Sequence, residues 1–97
     1  MILEAAEREG VKVLQIILFG SRARGQASSQ SDWDILVITE EKLSFAEKWE
    51  IIDKIKRKLA FLKIPNDIIF KSKEDFEKEK EIPGLIAYEV NLNGVKL

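Results

Sequence analysis

Gly20-Ser21-Arg22-Ala23-Arg24-Gly25 follows directly on an apolar run, and ten residues separate the Gly-Ser pair from Asp32-Trp33-Asp34-Ile35-Leu36-Val37. A turn that opens a helix presents unpaired backbone N–H groups, and with the helix dipole behind them these bind anions. Gly20 lets the backbone approach a phosphate closely, because no Cβ intervenes. Ser21 adds a hydroxyl donor, and Arg22 and Arg24 offer charge-assisted bonds to phosphate oxygens. Taken alone, a Gly-Ser pair is more often an ordinary strand-to-helix turn with serine as its cap.

The two aspartates supply the other half of the chemistry. Residues i and i+2 of a strand share a face, with Cα atoms roughly 6.6 Å apart. Asp32 and Asp34 can therefore aim two carboxylates at one ion. Magnesium takes hard oxygen ligands and combines a few carboxylates with phosphate oxygens and water. Two such ions about 3.5–4 Å apart clamp an in-line phosphoryl displacement. The plainer alternative is a turn aspartate followed by a surface aspartate, although Asp is depleted in strands and here it precedes Ile-Leu-Val-Ile. Asp67, at the start of Asn66-Asp67-Ile68-Ile69-Phe70, is the candidate third carboxylate. It could ligate an ion and accept the proton of an attacking hydroxyl. It also reads as a turn residue after Pro65. Together the two motifs suggest work on a nucleoside triphosphate.

These residues need a scaffold to hold them. Leu3 to Glu9 is a predicted short helix closed by Gly10. Val11 to Phe19 is β-branched and apolar and reads as a strand buried on most of both faces. Gly25 to Ser31 is a loop, and Trp33 to Thr39 a second strand. Ser44-Phe45-Ala46-Glu47 is a capping box. After it Phe45, Trp49, Ile52, Ile55 or Lys56, Leu59 and Leu62 recur at helical spacing, until Pro65 stops the helix. Asn66 to Lys71 is the third strand. Ser72 opens another helix, Pro83 opens a last one through Tyr88, and Val95 to Leu97 follows an Asn-Gly turn as a short strand. This order predicts an α/β (α+β) fold: one small mixed sheet with helices packed on one face, the other face partly open or covered by a partner. An incompletely covered sheet also points to a homodimer or a hetero-complex.

Composition narrows the chemistry. The 97 residues make one domain, 1–97, which buries roughly 65% of its extended-chain surface. There is no Cys and no His, so thiolate chemistry, disulfides and imidazole bases are excluded and catalysis must run on carboxylates, hydroxyls, Lys, Arg and backbone groups. The charges nearly cancel, with a net charge of −1, and no strand interleaves aromatic with basic residues; nucleic acid is not expected as a direct ligand. No signal peptide opens the chain and no run approaches the ~20 apolar residues of a membrane span, so a cytoplasmic protein with no membrane partner is expected.

Gly-Ser, ten residues, then Asp-x-Asp resembles the nucleotidyltransferases of the DNA polymerase beta superfamily. The wording Gly-Ser-x-Ala-Arg-Gly with Ser-Asp-x-Asp-Ile-Leu-Val is similar to the minimal nucleotidyltransferases of bacteria and archaea. The resemblance covers essentially the whole chain, with Asp67 opening the third strand and Ile82 to Leu97 resembling the usual ending. It implies a polymerase-beta-like palm fold. It implies that Asp32, Asp34 and Asp67 hold two Mg²⁺ ions, that Asp67 activates the acceptor hydroxyl, and that Gly20 and Ser21 hold the triphosphate. A hydroxyl would attack the α-phosphate and release pyrophosphate. Some members are antitoxins that place AMP from ATP on a tyrosine of a HEPN-type toxin. Trp33 stands where Ile or Leu is commoner; facing the helices, it is expected in the core. A chain of this size has no room for template-holding domains, so the acceptor is expected to be a separate macromolecule. The competing reading is an antitoxin or assembly subunit that neutralises its partner by contact alone.

Overall fold

The computed structural model describes residues 2–26, 28 and 31–97. The predicted loop's Ala27, Ser29 and Gln30 lie outside the described residues. Helix α1 (Ile2–Arg8) precedes strand β1 (Val13–Phe19), which runs into the short helix α2 (Gly20–Ala23). Strand β2 (Trp33–Thr39), helix α3 (Phe45–Phe61) and strand β3 (Asn66–Ser72) follow, then helices α4 (Lys73–Glu79) and α5 (Ile86–Asn93) and strand β4 (Val95–Lys96). The sheet order is β3-β2-β1-β4. β1 pairs antiparallel with β2 and with β4, while β2 and β3 are parallel, as the intervening α3 crossover allows. The mixed sheet and its helices match the expected α/β class.

Local chemistry explains the boundaries. Ser44 Oγ accepts from the Glu47 amide at 3.1 Å, and Glu47 Oε1 accepts from the Ser44 amide at 3.1 Å, so the predicted capping box closes both ways. Ser72 caps α4 by accepting from the Asp75 amide. α5 does not begin at Pro83. Gly84 has φ +93, which breaks the helical path, and Leu85 becomes the N-cap.

Strand alternation divides the core in two. On one face, Ile51, Ile52, Ile55 and Leu59 of α3 and Ala5 and Ala6 of α1 pack on Val37, Ile68 and Phe70. Each Val, Leu, Ile or Phe side chain so buried contributes about 1.5–3 kcal/mol, and the two alanines less. On the other, Ile17, Phe19, Leu36 and Ile38 meet Val90 of α5, with Phe76 of α4 beside them. The second face is thus partly covered by the two shorter C-terminal helices rather than bare. The register of β1 slips between Val13 and Gln15, and Leu14 is left exposed. Among the described residues no helix is long and apolar enough to cross a membrane.

The apolar stripe of α3 departs from its expected course. Ile51 joins the buried set, while Phe45 is 77% exposed, Trp49 51% exposed and Leu62 also lies outside. Phe45 and Trp49 meet edge to face at 5.9 Å and stay largely exposed rather than joining the layer on the sheet. Phase along a helix gives direction; whether anything stands there is set by the width of the sheet beneath.

Candidate active site

The ladder joins the two halves of the sequence motif. β1 ends at Phe19, whose partner across the antiparallel pair is Asp34. The next residue, Gly20, opens α2 at φ +73, a conformation that side chains with a Cβ rarely adopt. A Cβ placed on Gly20 would drive into the Asp34 carboxylate. Glycine is therefore required twice over, by its backbone angle and by the acid against it. The first turn of α2 carries no side-chain cap at its N-terminus. Ser21 sits in that turn, half-buried, with its carbonyl accepting from the Gln26 amide at 2.9 Å.

The parallel ladder supplies the second acid. Asp34 of β2 lies in register with Asp67 of β3, so the two point to the same face, the one carrying α4 and α5. Asp32 precedes β2 in the exposed segment at the loop's exit. The Asp34 carboxyl is held above its ordinary 3.8, first by its partial burial and then by the charges of Asp67, Asp32 and Glu89; Arg24 opposes the shift. The three sequence-predicted aspartates thus share one electrostatic neighbourhood. Their donors are oxygens only, which suits a hard divalent cation. Among the described residues no group of three His, Cys, Asp or Glu side chains is drawn into a metal cage.

The two arginines part company. Arg22 donates from Nε and Nη2 to the Ser31 carbonyl at 3.2 and 2.8 Å, and its guanidinium lies 4.3 Å from the centroid of the Trp33 ring. It ties the returning loop to the start of β2. Trp33 does face away from the acids, as expected, but it is 38% exposed and lies under this guanidinium rather than in the core. It begins β2 at the open end of the sheet, outside the α1–α3 packing cluster. Arg24 instead donates from Nη1 to Glu89 Oε1 at 2.7 Å.

Glu89 is the site residue that the sequence reading passed over. Its signal was a lone acid in Ile86-Ala87-Tyr88-Glu89-Val90, flanked by residues that bury against the sheet. Only the tertiary fold brings it to a turn 65 positions earlier.

Similar architecture occurs in solved structures. A toxin–antitoxin crystal structure with AMP-PNP matches with a TM-score of 0.64 at 22% identity, covering 98% of this chain and 68% of that chain. Two mutant forms of the toxin–antitoxin MntA-HpeT match with TM-scores of 0.63 and 0.62 at 20% and 23% identity, covering 98% and 99% of this chain and 68% of theirs. At these identities the likeness shows the fold alone. No curated protein matches the chain. The family model for polymerase beta nucleotidyltransferases matches residues 2–97, and with it the chain belongs to that family.

Proposed function

We propose that this protein is a Mg²⁺-dependent nucleotidyltransferase that moves AMP from ATP to a hydroxyl of a partner protein, as the antitoxin of a toxin–antitoxin pair whose toxin is of the HEPN type. The observation that carries the chemistry is the register of Asp34 with Asp67 directly beside Gly20. The antitoxin role draws its support from the toxin–antitoxin neighbours, and the choice of ATP from the neighbour with AMP-PNP.

In this reading the amides of Gly20 and Ser21 and the guanidinium of Arg24 hold the phosphate tail. Arg22 acts one step removed, fixing the loop through Ser31 so that Asp32 and Asp34 emerge together. Asp32, Asp34 and Asp67 would hold the two magnesium ions, which when bound neutralise the developing phosphate charge. The attacking hydroxyl oxygen bonds to the α-phosphorus while the bond to the β-phosphate bridge breaks. Pyrophosphate departs with that electron pair, and Asp67 takes the hydroxyl proton.

The test is incubation with labelled ATP, Mg²⁺ and the product of the adjacent gene. Label on that product, lost with Asp34→Asn in a domain that still folds, is the expected result. Neutralisation of the partner by an Asp32, Asp34, Asp67 triple alanine variant, with no label transferred by the natural sequence, would replace this reading with neutralisation by contact.

A further inference from the structure

Arg24 is anchored from two sides. Nη1 donates to Glu89 Oε1 at 2.7 Å, and Nε makes a longer 3.4 Å bond to Gln26 Oε1. A guanidinium carries five N–H donors, so these contacts leave three uncommitted. Glu89 is itself fixed: it lies in the first turn of α5, between Ala87 and Val90, both buried, and Val90 packs on Ile17 of β1. Arg24 closes the turn that Gly20 opens, its amide donating to the Gly20 carbonyl at 3.3 Å, and Gly20 lies against the Asp34 carboxylate, so the pair stands beside the acids. Each side chain is about two-fifths exposed, 41% for Arg24 and 42% for Glu89. A pair so wet adds little to the stability of a fold. Its geometry instead presents an oriented cation, with donors to spare, next to the turn.

We propose that Glu89 is a positioning residue for nucleotide binding: from α5 it holds Arg24 in the orientation that receives the triphosphate. The proposal rests on the transferase reading above. It makes α5, which carries none of the motif residues, part of the nucleotide site. It also separates the arginines by role, Arg22 bracing the loop and Arg24 meeting phosphate.

The experiment measures Mg·ATP and adenosine dissociation constants, KM and kcat for ATP, and melting temperature. It uses the full chain and the Glu89→Ala, Glu89→Gln, Arg24→Ala and Arg24→Ala/Glu89→Ala variants. Glu89→Ala is expected to weaken ATP about tenfold, the lower end of losses for residues that orient a primary ligand. The loss should appear in KM with kcat kept, leave adenosine binding and melting unchanged, and be partly recovered by Glu89→Gln. Once Arg24 is alanine, removing Glu89 should cost nothing further. Unchanged or tighter ATP binding by Glu89→Ala, losses that add in the double variant, or an equal loss for adenosine would each overturn the positioning role. If the natural protein bound no ATP, the transferase reading would fall and this inference with it; if it bound ATP and Glu89→Ala bound it as well, the positioning role alone would fall.

Discussion

The two faces of one sheet are built on opposite terms. Against α1 and α3, β2 and β3 present Val37, Ile68 and Phe70 to a dry aliphatic layer. Against α4 and α5, the same strands alternate to Asp34 and Asp67 at one end and to Leu36 and Ile69 further along. The first face favours folding throughout. The second carries its own apolar patch and then gathers carboxylates that repel one another. A chain of this size can hold like charges together because the opposite layer of the same strands supplies the cohesion.

The sharpest way to break that comparison is Asp34→Asn. AMP transfer is expected to fall by more than about 100-fold, beyond the 10–100-fold typical of residues that merely support a metal ligand. Its thermal stability at neutral pH should rise. The sign follows from linkage: the folded state holds the Asp34 carboxyl above 3.8, so native stability is whole below that value and declines as pH climbs from 3.8 through the raised one. Melting curves of the two proteins should coincide in acid and separate across that window, with the asparagine variant higher. On the other face, Ile55→Ala empties a fully buried position and should cost about 2–5 kcal/mol in denaturant unfolding. Mg²⁺ that binds only the folded form should raise stability by about 2.7 kcal/mol at a hundred times its dissociation constant, and Ile55→Ala should keep that increment while Asp34→Asn loses it. Gly20→Ala, strained at φ +73 and pressed on Asp34, should cost about 1–3 kcal/mol and cut transfer at the same time. Smallest is Trp33→Ala, which removes the Arg22 stacking; about 0.5–1 kcal/mol is expected, readable as a slight fall in melting temperature.

The cohesive face was legible because its signals are local. The capping box at Ser44, the cap at Ser72 and the β-branched runs of all three long strands mark their own elements. The acid pair was legible for a different reason. Asp34 and Asp67 are each the second residue of a strand, so pairing those strands in parallel from their first residues sets them abreast. What stayed hidden depends on the extent of neighbours. Trp33, Phe45 and Trp49 are large and apolar in the sequence, yet all three are exposed and none joins the buried cluster. Glu89 stayed hidden because the partner that gives it meaning lies in another element, and a single acid on a short helix carries no spacing to read. Pro83 misled for a backbone reason, since the left-handed Gly84 directly after it forbids the helix that proline would otherwise start.

The β2–α3–β3 crossover has a consequence for how the protein comes into being. The hairpin of β1 and β2 can close through its own short-range ladder, bringing Gly20 to Asp34 early. Asp67 can join them only after seventeen residues of α3 have been wound and laid down, because parallel neighbours have no tighter route between them. A ribosome releasing this chain would therefore expose the glycine-serine bend first and finish the acidic pair last, so that the candidate site is whole only once folding is complete.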